Sequence, residues 1–333
     1  MKASSGSRKY FKLKPKTPFD SGVYLIMPKT IRIGTRDSEL AMWQARTVES
    51  ALRSFGYDTV LVPTKSAGDV ILDKPLYEFG ITGIFTKTLD VAMISGQIDI
   101  AVHSMKDVPT ALPHGIVQAA VLKRENPMDI LVHKGQLDFM QPCTVATGSL
   151  RRQAQWLHRY PHHTVVDLRG NVNTRLQKLN DNDWTGAVFA TAGLDRLGIK
   201  PDNFIPLDWM IPAPAQGAMV VVAMADDDFC REATAKLNHF ETEVCTWIER
   251  QFLRTLEGGC TAPIGALARF EGHQIRFDGA LYSLDGKEKI MIEKTADATH
   301  YKNFGEECAR EALTRGGEDL MTRIRENLGP KTP

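Results

Sequence analysis

The chain has 333 residues, 43% of them hydrophobic, with 41 Lys and Arg against 40 Asp and Glu, for a net charge of +1. That length accommodates two or three domains of about 150 residues with real cores. The near-neutral balance excludes a molecule that holds nucleic acid or anionic membrane by its overall charge. The longest apolar run, residues 219–225, is far too short to span a bilayer. Five cysteines (Cys143, Cys230, Cys245, Cys260, Cys308) form no CxxC pair, which argues against a disulfide scaffold and a zinc ribbon. A cytoplasmic, multi-domain protein is expected.

Residues 1–29 carry Lys2, Arg8, Lys9, Lys12, Lys14, Lys16 and Lys29 against the single acid Asp20, with no apolar periodicity. No continuous apolar core for a secretory signal and no amphipathic Arg-rich helix for a transit peptide stands there. Residues 1–30 read as a basic, disordered or appended tail outside the fold. From Ile31 onward short β-rich runs alternate with helical patterns. Residues 31–34 read as a strand, followed by a helix on which Leu40, Trp43, Val48, Leu52 and Phe55 recur at helical spacing and Gly56 caps the end. Residues 59–62 form the next strand, residues 65–83 a long polar loop, residues 85–94 a helix and residues 98–103 a strand. One device then repeats three times: a strand (144–146, 165–168, 187–190), a polar turn, and a helix or turn bearing arginine. Such β–α alternation predicts parallel sheets with right-handed crossovers. After the buried strand 218–225 come a helix over 241–256, strands 274–282 and 289–294, and a final helix, an α+β module.

In open α/β sheets ligands bind beyond the carboxyl ends of the strands. Arg36, Ser38, Ser104, Lys106, Asp107, Thr147, Ser149, Arg151, Arg152, Arg169, Arg175 and Arg196 fall there. Hydroxyl residues at helix N-termini leave backbone N–H groups for anions, and arginines add bidentate recognition of carboxylate or phosphate. So many strand-end cations in a chain of net charge +1 favour a polyanion cleft over scattered surface charge. P-loop, GxGxxG and HExxH patterns are missing, so nucleotide sites of those kinds and a catalytic metal lack support. Asp107 is the one acid expected among these cations. It either stabilises a developing positive charge or relays a proton, or else caps a helix or pairs structurally. Cys260, in Gly258-Gly259-Cys260-Thr261, sits in a Gly-rich loop where a thiol is accessible as nucleophile or attachment point, whereas the helical Cys230 and Cys245 read as buried.

The stretch Ala101-Val102-His103-Ser104-Met105-Lys106-Asp107-Val108-Pro109-Thr110 resembles the HS-KD-P signature of the porphobilinogen deaminase family. Ile33-Gly34-Thr35-Arg36-Asp37-Ser38, Gly148-Ser149-Leu150-Arg151-Arg152, Leu168-Arg169-Gly170-Asn171, Ala190-Thr191-Ala192-Gly193, Pro214-Ala215-Gln216-Gly217 and Leu256-Glu257-Gly258-Gly259-Cys260 resemble it too, in order. The resemblance implies two doubly wound domains like those of periplasmic binding proteins plus a C-terminal α+β domain. It implies residues 31–124 with 215–236 as a discontinuous first domain, 125–214 as the second and 237–333 as the third. It further implies stepwise joining of four porphobilinogen molecules, with loss of ammonia, into hydroxymethylbilane on a dipyrromethane cofactor held through Cys260. Lys106, Ser104, Thr147, Ser149, Arg151, Arg152, Arg175 and Arg196 would then hold the cofactor carboxylates. Arg36, Ser38, Arg169 and Gln216 would hold the incoming pyrrole, and Asp107 would support the cation formed as ammonia leaves. A monomer that hands its product to uroporphyrinogen-III synthase is the family expectation.

Two positions depart from the resemblance: Gly148 stands where relatives often carry a second hydroxyl, and Thr82 where lysine is common, so no cationic contact is carried over to the 65–83 loop. A solute-binding module for a polycarboxylate shares the two-lobed fold but needs neither Cys260 nor Asp107. A nucleic-acid binder would show a basic surface that this net charge disfavours.

Overall fold

The computed structural model describes residues 29–65, 86–256 and 262–328. The chain runs β1 (Ile31–Arg36), α1 (Glu39–Ser54), β2 (Thr59–Thr64), α2 (Lys87–Ile94), β3 (Ile100–Ser104), β4 (Ile116–Val121), β5 (Asp129–His133), β6 (Thr144–Ala146), α3 (Leu150–Arg159) and β7 (Thr164–Val166). It continues through α4 (Val172–Asp181), β8 (Gly186–Ala190), α5 (Thr191–Arg196), β9 (Phe204–Pro206), β10 (Met219–Met224), α6 (Asp228–Ala235) and α7 (Phe240–Thr255). Last come β11 (Ile264–Glu271), β12 (Gln274–Tyr282), β13 (Lys289–Asp297), α8 (Phe304–Ala312) and α9 (Glu318–Leu328).

Helix α1 forms because Ala41, Gln44, Ala45, Val48 and Leu52 make one buried stripe at helical spacing. It stops at Gly56, whose φ of +88° is open to glycine and costly for other residues. The stripe packs on one face of a five-stranded sheet ordered β2-β1-β3-β10-β4, with Ile31, Ile33, Val102 and Val221. Helix α2 covers the opposite face with Leu89 and Met93. A second five-stranded sheet, β7-β6-β8-β5-β9, carries α4 and α5 on one face and the Trp156 side of α3 on the other. The third sheet, β11-β12-β13, is antiparallel and buries Phe277 and Ile292 against Ile248 and Phe252 of α7 and Cys308 of α8. Two doubly wound lobes and a C-terminal α+β unit are thus present.

The parallel sheets expected from the alternation are in fact mixed. Strands β1, β2 and β3 run parallel, but β10 is antiparallel to β3 and β4, and β5 is antiparallel to β8 and β9. Both exceptions are the strands that enter a sheet directly from the other lobe. The chain arrives at the cleft end of the sheet, so its only way onward is against the neighbouring strands. Strand 98–103 is observed as Ile100–Ser104 and strand 165–168 as the shorter Thr164–Val166, while β4, β5, β9, β11 and α6 were not read from periodicity at all. The four described cysteines are buried, Cys230 and Cys245 as expected, with both thiols pushed up to about 12 chiefly by burial. The 65–83 loop beyond Lys65 and the Cys260 thiol lie outside the described residues.

The two crossings between lobes touch. Gly217 has φ +84°, and a Cβ there would lie 2.7 Å from the carbonyl oxygen of Glu125, so only glycine lets them pass. Glu249 of α7 ties this junction to the third sheet. Fully buried, it accepts from both Nη atoms of Arg124 at 2.6 and 3.1 Å, from the N–H of Ala215 at 2.7 Å and from the N–H of Ala268 at 2.8 Å. Ala215 itself has φ +62°, a strained backbone that this bond helps to hold. Removing one charge of a buried pair leaves the other uncompensated, so Glu249→Gln is expected to destabilise the protein by about 3 kcal/mol or more. Urea unfolding at pH 7 measures it, and a loss below about 1 kcal/mol, the size of a surface pair, would contradict the buried-hub account.

Candidate active site

Strand ends of both lobes converge on one cleft. Ser104 ends β3 and is followed by a 3₁₀ turn, Met105–Asp107, which carries Lys106 and Asp107. Across the cleft β6 ends at Ala146, and Thr147, Gly148 and Ser149 lead into α3. Ser149 caps that helix, its hydroxyl accepting from the N–H of Arg152, and this fixes the start of the helix on which Arg151 and Arg152 stand. Gly148 has no room for the second hydroxyl: a Cβ there would meet the carbonyl oxygen of Leu168 at 2.7 Å. Beyond β7, Asn171 caps α4 by accepting from Thr174 N–H, and Arg175 on the first turn donates Nε–H to the carbonyl of Gly170 at 2.7 Å.

Asp129 is the centre of the cluster. Wholly buried at the start of β5, it accepts from Arg151 Nη2 at 2.7 Å, Arg152 Nη2 at 2.8 Å and Gln216 Nε2 at 2.8 Å. Burial alone would raise its carboxyl, but the charges and hydrogen bonds of Arg151 and Arg152 outweigh this and hold it well below the usual carboxylate range. Gln216 also donates to the carbonyl of Pro127 at 2.7 Å and accepts from Lys106 Nζ at 3.1 Å, so its buried amide joins the two lobes. Lys106 is lowered to about 8, first by desolvation and then by the nearby charge of Arg152. Arg175 is lowered to about 10 for the same two reasons.

The residues expected from the sequence therefore fall into groups. Lys106, Asp107, Arg151, Arg152, Arg169 and Arg175 act electrostatically on one another or through one shared neighbour, together with Asp129 and Asp167. Thr147 is buried beside Ser149, whose N–H donates to its hydroxyl at 3.3 Å, and Ser104 accepts from Gln44 Nε2 at 2.7 Å. Arg36 ends β1 close enough to the buried His103 to oppose its protonation; burial first, then that charge, lowers the imidazole to about 4. Ser38 precedes α1 without a side-chain capping bond. Arg196 is committed elsewhere: it donates to Glu125 at 2.5 Å and to the carbonyl of Gly217 at 2.7 Å, and stacks 5.8 Å from the ring centroid of Trp43 on the opposite lobe. Cys260 lies outside the described residues. Asp129, the lobe-bridging part of Gln216 and the hub at Glu249 were missed. One signal did exist: a lone acid heading the apolar run Asp129-Ile130-Leu131-Val132, in a chain with adjacent arginines needing a counter-charge.

The charges can be weighed. Among the described residues whose charges act on one another there, the cations are Lys106, Arg151, Arg152, Arg169 and Arg175 and the carboxylates are Asp107, Asp129 and Asp167. Among the buried side-chain atoms of the described residues, Nε of Arg151, Nε of Arg152, Nε2 of His103 and Oε1 of Gln251 have no hydrogen-bond partner. Buried donors left over beside an excess of cations fit a ligand that brings several carboxylates into the cleft.

Comparison with known proteins gives the same direction. The family model described as "Porphobilinogen deaminase, dipyromethane cofactor binding domain" matches residues 31–232, and "Porphobilinogen deaminase, C-terminal domain" matches residues 243–314. A porphobilinogen deaminase of Syntrophomonas wolfei is 40% identical over 304 residues, covering 89% of this chain and 99% of that one. One of Pelotomaculum thermopropionicum is 41% identical over 307 residues, covering 90% and 98%. Among solved structures, the methionine-binding protein MetQ superposes with a TM-score of 0.42 at 14% identity, over 63% of this chain and 90% of its own.

Proposed function

This chain belongs to the porphobilinogen deaminase family, and from that premise we propose how its own residues carry the family's reaction. It is a transferase that condenses four porphobilinogen molecules head to tail, releasing ammonia, to give hydroxymethylbilane for tetrapyrrole and haem biosynthesis. The observation that carries this reading is the cleft cluster: buried and half-buried cations from both lobes, two of them arginines with unpartnered Nε–H groups, set around Asp107. A polycarboxylate-binding module has only the two-lobed fold in its favour.

Dipyrromethane, when bound, supplies the pyrrole carbon that starts the chain and the carboxylates that anchor it. Cys260 would tether it by a thioether. Arg151 and Arg152 would hold its carboxylates, with Asp129 keeping both guanidinium groups in place. Lys106 and Arg175, poorly solvated and repelled by neighbouring cations, gain most from an arriving carboxylate. Ser104, Thr147 and Ser149 present hydroxyls and helix-terminal N–H groups beside them. Arg196 borders this row and keeps the lobes together through Glu125 and Trp43. Arg36, Ser38 and Arg169 receive the acetate and propionate of the incoming pyrrole, and Gln216 acts on it through its hold on Lys106. The Asp107 carboxylate faces the pyrrole nitrogen and stabilises the positive charge that grows there as ammonia departs. Residues 31–124 with 215–236, 125–214 and 237–333 are the three domains of this reading; of the basic segment 1–30 only Lys29 and Thr30 are described, and Lys29 is tied to the first domain, its Nζ pairing with Asp227 at 2.7 Å. The protein acts as a cytoplasmic monomer that passes its product to uroporphyrinogen-III synthase; no helix among the described residues is long and apolar enough to cross a membrane.

Intact mass under denaturing conditions tests the assignment. Wild type is expected to exceed the bare chain by two condensed pyrrole units, and Cys260→Ser to lack the excess. A chain that stays at its bare mass after incubation with porphobilinogen, and releases no ammonia, would remove the reading.

A further inference from the structure

The turn that bears Lys106 and Asp107 is a single 3₁₀ turn of three residues, with little hydrogen bonding of its own to stiffen it. At its end the N–H of Val108 donates to the carbonyl of Met105 at 3.2 Å. The carbonyls on either side of Asp107 take donors from another part of the chain. Arg250, on α7 beside the buried Glu249, donates Nη1–H to Met105 O at 3.2 Å and to Val108 O at 2.9 Å, and Nη2–H to Pro109 O at 2.6 Å. A planar guanidinium reaching three carbonyls fixes their relative positions as no single-point cation does. Met105 is further tied to β10 by its own N–H, which donates to Ala218 O at 3.0 Å. Met105 and Val108 are buried, so the backbone is anchored immediately before Lys106 and immediately after Asp107.

We propose that Arg250 is a positioning residue for the reaction: from the C-terminal unit it clamps the Met105–Pro109 backbone so that Asp107 and Lys106 are held toward the cleft. The inference rests on the functional reading above and adds a residue outside the cleft to it. The same helix is anchored to the lobe crossings through Glu249 and leads, past Thr255, into the segment containing Cys260. One rigid element thereby sets the catalytic turn relative to the remainder of the molecule. The described bonds of Arg250 go to backbone carbonyls, so its removal should be felt in how often Asp107 is correctly aimed. Misplacement of a catalytic group by about 1 Å costs about a hundredfold even when the mutation lies away from the chemistry.

Arg250→Ala and Arg250→Lys, purified with wild type as control, are compared in turnover of porphobilinogen, intact mass and backbone amide exchange over residues 100–110. Arg250→Ala is expected to carry the covalent cofactor, to lose about tenfold to a hundredfold in kcat with KM within about threefold, and to exchange faster over 100–110. Millimolar guanidinium should restore part of that kcat, and Arg250→Lys should fall between alanine and wild type. Should the alanine variant not fold, the lysine variant carries the test, with a smaller kcat-only loss and faster exchange expected. A folded variant with wild-type kcat overturns the inference. So does a loss confined to KM, or a kcat loss that guanidinium leaves untouched alongside wild-type exchange over 100–110. Failure of wild type itself to consume porphobilinogen would instead strike the functional reading, with the amide exchange still reporting on the clamp.

Discussion

Asp107→Asn is expected to keep the fold and its covalent cofactor and to lose at least about a hundredfold in turnover, the scale seen when one preorganised electrostatic group is removed from an active site. The substitution is nearly isosteric, and the turn that carries the residue is held by backbone bonds that do not involve its side chain. Packing therefore changes little. What changes is charge: Asp107 is a carboxylate whose field acts on both Lys106 and Arg175, so it already stands where cations gather from the two lobes. As ammonia leaves the substrate, a further positive charge forms in a site where cations outnumber acids. With asparagine that charge meets the same cations with one carboxylate fewer, Asp129 being already engaged by Arg151 and Arg152. The loss should appear in ammonia release during a single turnover, with KM nearly unchanged, because the arginines that bind the substrate's carboxylates are untouched. Single-turnover release within about threefold of wild type would take Asp107 out of the chemistry.

The cations of the cleft were legible because their signal is local. Thr147, Ser149, Arg151 and Arg152 are adjacent in the chain, and a strand followed by a polar turn and an amphipathic helix can be recognised within about ten residues. Asp129 shows why the rest was not. Under a uniformly parallel sheet, the first residue of a strand lies at the end away from the ligand. Strand β5 runs antiparallel to β8, pairing Asp129 with Ala190 at the cleft end, so the first residue becomes a site residue. That reversal follows from the crossing between lobes, a long-range feature without periodic trace. Arg250 and Glu249 were hidden for a related reason: the carbonyls Arg250 reaches, at Met105, Val108 and Pro109, and the guanidinium Glu249 pairs with, at Arg124, lie more than a hundred residues away. On helix α7 they read only as polar neighbours of an apolar stripe. Arg196 looked like its fellow arginines by spacing, and only the folded chain shows its guanidinium spent on Glu125, Gly217 and Trp43.

Asp129→Asn should be the most destabilising single change in the cleft, by about 3–5 kcal/mol at pH 7, because it strands two buried arginines at once. Arg151 and Arg152 are both almost fully buried, and each gives one Nη–H to a different oxygen of this carboxylate. Asparagine can still accept one such bond but brings no charge, and its amide hydrogens would point at a guanidinium. The pH dependence has a definite sign. The folded-state carboxyl is held below its ordinary value of 3.8, burial notwithstanding, by the two arginines. Its contribution is therefore complete above about pH 4 and is lost as pH falls toward the depressed folded value. Urea unfolding should show the full gap between wild type and Asp129→Asn at pH 7 and a narrower one near pH 3. A second comparison separates a coupled cluster from simple loss of packing. Adding Arg151→Leu to Asp129→Asn removes one of the stranded charges, so the double variant should be less unstable than the two single losses added together. A gap that does not change with pH, together with strictly additive losses, would mean that Asp129 is held by packing and that the paired arginines do not depend on its charge.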